Sequence, residues 1–169
     1  MVPACRCVRP FRRLPPQARL RGEVVVIMAD KRIVVGVDGS PSSMKALRWA
    51  IRQAKLTGAE VEAVTAWSYP SGYGWAPFSE GAVDFEGDAG KILVEALAEV
   101  SGIAPDVVVE PLVVHGHAAD VLVRAAEGAD LLVVGSRGHG GFAGMLLGSV
   151  SQHCVQYAPC PVLVLRDGR

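Results

Sequence analysis

Leu131-Leu132-Val133-Val134, then Gly135-Ser136-Arg137-Gly138 and, after nine further residues, Gly148-Ser149, joins an apolar run to a glycine-rich connection and then to a helical pattern. Four consecutive apolar residues ended by glycine read as a strand covered on both faces, as in a parallel sheet with helices packed against each side. Glycines let backbone N–H groups approach a ligand, and a following helix N-terminus adds partial positive charge, so such a connection suits a phosphate. Nucleotide binding is the leading reading of this stretch. A turn that only ends the strand is the competing one.

Working outward, the same alternation recurs from Lys31 onward. Residues 32–37 form a second nearly continuous apolar run, closed by Asp38-Gly39-Ser40. Ser40 is placed to cap a helix and Pro41 suits its first position. Met44, Leu47, Trp49, Ala50, Ile51 and Ala54 then supply an apolar helix face that Gly58 terminates, with Trp49 packing rather than stacking on a ligand. Residues 61–67 read as a strand and residues 68–86, rich in glycine, proline and aromatics, as a loop. A helix over 88–100 buries Ile92, Leu93, Ala96 and Leu97. A strand over 107–114 carries Glu110-Pro111, which marks an irregular or edge segment. Helices over 119–126 and 150–157 and a strand over 161–165 complete the pattern. Five strands with intervening helices predict one α/β domain, a three-layer α/β/α arrangement with a mostly parallel sheet.

In such a sheet Asp38 and Gly135 stand at the carboxyl ends of the first and fourth strands, positions that can flank a switch-point crevice. Asp38 can accept hydrogen bonds from a ribose or base, or it can cap the helix and order its own turn. Gly135, Gly138 and Gly148 permit close backbone approach or positive φ. Ser149 is read as the cap of the last helix and a donor to phosphate, and Gly140 and Gly141 add freedom between them. Arg137 supplies either attraction for an anion or an ordinary exposed charge. His139 sits inside the loop as a ligand contact or a solvated residue. His115 and His117, around Gly116, fall near the expected crevice as contacts or turn residues, and His153 reads as helix surface or packing. There is no phosphate-loop lysine, and no G-x-G-x-x-G follows the first strand. A standard P-loop NTPase and an ordinary dinucleotide dehydrogenase are both poor matches.

Composition limits the alternatives. The 169 residues, half apolar and one fifth charged, fit a single soluble globular domain with an appended tail. No uninterrupted run reaches the roughly 20 apolar residues of a membrane span, and Pro15-Pro16 and further arginines stand where a signal peptide needs an apolar segment. Cytoplasmic location is the default expectation. The net charge of zero hides an asymmetry: residues 1–30 carry six arginines against Glu23 and Asp30, and the remainder is net negative. Those arginines lie in a Pro-containing head rather than on the patterned body, so a nucleic-acid partner is not expected. Residues 1–30 are read as a disordered or non-native extension, with Met28 as an alternative start. Cys5 and Cys7 lack a companion pair for zinc, and Cys154 and Cys160 read as reduced cysteines in or beside the core.

Over residues 31–166 the chain resembles the universal stress protein family, in Ile33-Val34-Val35-Gly36-Val37-Asp38-Gly39-Ser40, in His115-Gly116, and in Gly135-Ser136-Arg137-Gly138 through Gly148-Ser149. The last spacing matches the pattern of that family's ATP-binding branch. The resemblance implies strand order 3-2-1-4-5, with ATP or another adenine nucleotide over the ends of strands one and four. By position it implies Asp38 as the nucleotide-contacting acid, Gly36 and Ala66 as neighbours of the base, and Gly135, Gly138, Gly148 and Ser149 as the ribose and phosphate loop. Gly140 and Ser151 would be additional contacts. Mg²⁺ would accompany a triphosphate, with no protein ligand assigned, and a homodimer would form through the final strand. Residues 167–169 are left as a tail. The implied function is an ATP-binding stress or signalling module whose occupancy regulates conformation or partners. Slow ATP hydrolysis in the same pocket, or a homodimeric interaction module without nucleotide-dependent activity, are the alternatives. No base–nucleophile pair marks the chain as an enzyme.

Overall fold

The computed structural model describes residues 31–69, 84–139 and 146–166. The expected readings of residues 1–30, of Gly140 and Gly141 and of the 167–169 tail lie outside these. Within them, β1 (Arg32–Gly36), α1 (Pro41–Thr57), β2 (Glu60–Trp67), α2 (Phe85–Val100), β3 (Val109–His115), α3 (Ala118–Ala125), β4 (Leu131–Gly135), α4 (Ser149–Tyr157) and β5 (Val162–Leu165) follow in strict alternation. The five strands form one parallel sheet in the order β3-β2-β1-β4-β5. The expected fold and strand order are both present.

Side-chain alternation along the central strands divides the interior into two cores. Ile33 and Val35 of β1 and Val61 and Ala63 of β2 face α1 and α2, where Leu47, Ile51, Leu93 and Ala96 are buried against them. Val34 and Val64 point the other way, joining Leu132, Val134, Val121, Leu122 and Cys154 beneath α3 and α4. Full burial of a side chain such as Leu47 contributes about 2 kcal/mol, so these two layers hold the sheet whatever occupies its ends. Trp49 packs against the first core, as its position on α1 predicts. Cys154 is buried and Cys160 half-buried, and both are free thiols. Burial pushes the Cys154 thiol up to about 11, so it stays protonated and unreactive near neutral pH.

The helix ends follow the capping chemistry of the sequence, with informative departures. Ser40 accepts a hydrogen bond from Ser43 N at 3.3 Å and Pro41 occupies the first helical position, while Gly58 ends α1 in the left-handed region, its N–H bonded to Ala54 O at 2.9 Å. α2 begins at Phe85, earlier than residue 88, because Asp84 caps it by accepting from Gly87 N at 2.8 Å. The loop expected through residue 86 therefore ends sooner, and its residues 70–83 lie outside the described ones. β3 begins at Val109 rather than 107, since Val107 N is drawn back into a turn by Ala104 O at 3.0 Å. β1 ends one residue early: Val37 O accepts from the Thr65 hydroxyl at 2.9 Å, and the chain leaves the ladder towards α1. Glu110-Pro111 does lie on an edge strand, and β5, four half-buried apolar residues, is the opposite edge. Among the described residues no helix is long and apolar enough to cross a membrane.

Candidate functional site

Because β1 is flanked by β2 on one side and β4 on the other, the connections after β1 and β4 run to opposite faces of the sheet and leave a gap between them. That gap is a cleft of about 490 Å³. The β1–α1 connection contributes Gly36, Val37, Asp38 and Ser43, and β2 contributes Val64 and Ala66. The far wall comes from Ala118 and Leu122 of α3 and from the β4–α4 connection, including Gly135, Arg137, Gly138, Gly148, Ser149 and Ser151. The expected nucleotide-site residues that the structure describes, Gly36, Asp38, Ala66, Gly135, Gly138, Gly148, Ser149 and Ser151, border one cleft, and His115 and His117 do not.

Asp38 is fixed at several points. Its Oδ1 accepts from Ser40 N at 2.9 Å, ordering the turn, and its N–H donates to Ser43 Oγ at 3.3 Å. The turn-ordering role weighed for Asp38 is therefore realised, and the same side chain borders the cleft. Its Oδ2 lies over Gly138 so closely that a Cβ there would fall 2.4 Å away. Gly135 is compressed differently: a Cβ would meet Ser42 Oγ at 2.5 Å and the backbone of Ser42 and Ser43 at 2.8 Å. Neither glycine, nor Gly148, has positive φ. Close approach, not unusual backbone conformation, is what Gly135 and Gly138 require, whereas a Cβ at Gly148 would meet only ordinary contacts at 3.5 Å. The approach at Gly135 is to α1, and the approach at Gly138 is to the acid across the cleft.

The β4–α4 connection is tied to its surroundings from both ends. Ser42 Oγ donates to Arg137 O, and Ser40 Oγ lies 3.4 Å from the same carbonyl. Gly148 N donates to Ser136 O at 2.7 Å, and the buried Ser151 hydroxyl reaches Ser136 O at 3.0 Å and Gly148 O at 2.9 Å. Ser151 therefore uses its proton on the loop itself. Ser149 is not the cap of α4. Gly148 takes that position in extended backbone, φ −76° and ψ 164°, with its carbonyl already accepting from Gln152 N at 3.0 Å, and Ser149 is the first helical residue. Among the described residues no side chain caps this end. The first-turn N–H groups have no intrahelical partner, and the helix presents roughly half a positive charge there, with the exposed Arg137 alongside.

The histidines separate clearly. His139 borders the cleft and its Nε2 lies 2.9 Å from Asp38 O. His115, expected near the crevice, does not line it and packs on Trp67 in a tilted arrangement with ring centroids 4.6 Å apart, because the two are direct partners in the β2–β3 register. His117 precedes α3 at the capping position without a side-chain cap bond. His153 sits on the surface of α4, 3.7 Å from Asp120 and stacked on Tyr157. Sequence reasoning missed the apolar wall made by Val64, Ala118, Leu122 and Leu147. The Ala118 and Leu122 spacing is that of any core-facing helix stripe, so it carries no separate signal. Among the described residues no group of three or more His, Cys, Asp or Glu side chains could hold a metal.

An apolar slot, one oriented carboxylate, a glycine-lined loop and an uncapped helix N-terminus together match a ligand with a flat apolar body, hydroxyl groups and an anionic end. Comparison with known proteins agrees with the fold. The model of the universal stress protein family matches residues 30–166. The universal stress protein Rv1996 of Mycobacterium tuberculosis is 38% identical over 159 residues, covering 86% of this chain and 49% of the relative. The chain thus spans about half the length of the curated relatives it matches. A solved universal stress protein in complex with cAMP is 31% identical, with a TM-score of 0.62 over 81% of this chain and 97% of that one. The universal stress protein of Archaeoglobus fulgidus in complex with dAMP is 26% identical, with a TM-score of 0.58 over 82% and 99%.

Proposed function

The chain belongs to the universal stress protein family, and on that premise we propose that it is an adenine-nucleotide-binding module whose occupancy regulates its conformation or its partners. One observation carries the reading: Asp38, Gly138 and the uncapped end of α4 border a single cleft at the β1/β4 switch point. The base would lie in the slot beside Gly36, Val64, Ala66 and Leu122. Asp38 Oδ2 would accept from ribose hydroxyls, Oδ1 being committed to Ser40 N. Phosphate would rest over Gly138 against the first turn of α4, with Ser149 and Arg137 adjacent. The solved relatives whose complexes hold cAMP and dAMP support the adenine class. ATP is the member that the loop spacing supports, and Mg²⁺ would accompany it as it does a triphosphate in solution, with no protein ligand assigned to it.

These groups are binding groups, and their chemistry is ground-state recognition rather than turnover. Regulation then requires that nucleotide favour one conformation or assembly over another. We assign the assembly to pairing of β5 with a second copy: β5 offers an apolar edge, whereas the other edge is broken by Glu110-Pro111 in β3. A mass measurement on the full chain at micromolar concentration should return a dimer, and a persistent monomer removes that assignment.

The nucleotide reading is tested by calorimetric titration of the full chain with adenosine, AMP, cAMP, and ATP with and without Mg²⁺. Gly138→Val, which drives a side chain into Asp38, should lower affinity at least tenfold while the far-UV spectrum is retained. Wild-type protein that binds none of these ligands, or a folded variant of unchanged affinity, overturns the proposal.

A further inference from the structure

Resting on the nucleotide reading, we propose that His139 is a positioning residue that sets Asp38 from across the cleft, and that it acts through the Asp38 carbonyl rather than by touching phosphate. Most of what fixes Asp38 comes from its own connection: its N–H donates to Ser43 Oγ and its Oδ1 accepts from Ser40 N. Its carbonyl is held from the opposite wall, by His139 Nε2 at 2.9 Å. A carbonyl can only accept, so Nε2 carries the proton in this contact. Gly39, the residue after Asp38, turns the chain in the left-handed region, where a side chain would be strained. Gly39 has φ +80°, and a Cβ at that position would stand 3.8 Å from His139 Nε2 and 3.2 Å from Ile92 Cγ2.

The consequence is geometric. With N–H, C=O and Oδ1 all occupied, the Asp38 backbone has little freedom to rotate, and Oδ2 is the oxygen left facing Gly138. His139 follows Gly138 directly, so one bond fixes both the acid and the glycine that lies under it. A short lever of this kind preorganises the ribose side of the cleft, and preorganisation appears as affinity. His139 is exposed and outside both cores, so its loss leaves the fold intact.

Two features of the proposal separate it from a direct phosphate contact. A glutamine places an amide N–H where histidine has Nε2, and an asparagine does not reach; His139→Gln should therefore preserve the contact while His139→Ala and His139→Asn lose it. An effect that passes through Asp38 also falls on the nucleoside as much as on the nucleotide. Titration of the full chain with adenosine and with ATP should show affinity about fivefold to tenfold weaker in His139→Ala and His139→Asn, equally for both ligands, the range expected for one lost hydrogen bond. His139→Gln should lie within twofold of wild type. A loss confined to ATP would assign His139 to the phosphate and overturn the positioning role, as would unchanged binding in His139→Ala or a His139→Gln as weak as the alanine variant. If wild-type protein binds neither ligand, this proposal falls, and the nucleotide reading falls with it where AMP and cAMP also fail to bind; a wild type that binds while the variants match it removes only the role of His139.

Discussion

The β1–α1 and β4–α4 connections are two solutions to the same problem, a strand leaving the sheet and turning into a helix beside one cleft. The first closes its helix with side chains: Ser40 caps α1, Ser43 Oγ returns to Ser40 O at 3.0 Å, and Asp38 pairs with Ser40 N. The second closes nothing. α4 starts from Gly148, which has no side chain to cap it, and its tethers, through Ser151 and Gly148 N, hold the loop in place without covering the helix end. The satisfied connection acts as a scaffold that aims one carboxylate. The other leaves the first-turn donors of α4 without a side-chain partner among the described residues, the end to which the proposed reading assigns the phosphate. A cleft of this kind needs both, because a donor cradle without a rigid wall opposite could not hold a ligand in register.

The comparison can be broken most severely at Gly135, where the two connections touch. Any side chain there meets the backbone of Ser42 and Ser43, so Gly135→Val should cost about 3 kcal/mol of stability, read as a lower urea midpoint at unchanged m-value. An unaltered midpoint would mean that α1 is not pressed against the loop. A smaller change exchanges the capping chemistry of the two helices. Gly148 already has the extended backbone of a capping residue, and a Cβ there finds no atom nearer than 3.5 Å. Gly148→Asp should therefore fold with stability within a few tenths of a kcal/mol of wild type or above it, yet bind ATP about tenfold more weakly by placing a carboxylate where the phosphate would lie, with adenosine affinity held. Ser40→Ala should do the reverse, losing about 1 kcal/mol of stability while ATP affinity changes little. Equal effects of the two substitutions on ATP would erase the distinction between scaffold and cradle.

The two connections were unequally legible. Ser40-Pro41 and Gly58 bound α1 by local rules that need only the neighbouring backbone, and both ends stand where those rules put them. Asp84 obeys the same rule at α2, but it lies in a stretch so rich in glycine and proline that the helix start was placed too late. At α4 the serine attracted the cap assignment, whereas the extended backbone at Gly148 makes the glycine the boundary. Asp38 and the glycines could be collected as site residues because their types are unusual at strand ends. Leu122 and Ala118 could not, because an apolar residue lining a cleft and one filling a core follow the same helical period. His115, at the end of β3, and His139, inside the β4–α4 loop, each stand beside a glycine, and by sequence each is either a ligand contact or a residue with no such role. Only the β2–β3 register turns the first onto Trp67, and only the meeting of the two loops brings the second to Asp38.

What the sequence determined by itself is therefore what short-range chemistry controls: the apolar runs that make the buried central strands, the α/β alternation that makes all five parallel, and the glycine spacing after β4. Tertiary structure alone decided which glycine yields to α1 and which to an acid 100 residues distant in sequence, which serine keeps its proton for the loop, and which histidine reaches the cleft. Hydrogen bonds and steric contacts act over a few ångströms of space, and the distance between two residues along the chain does not specify them until the sheet has folded.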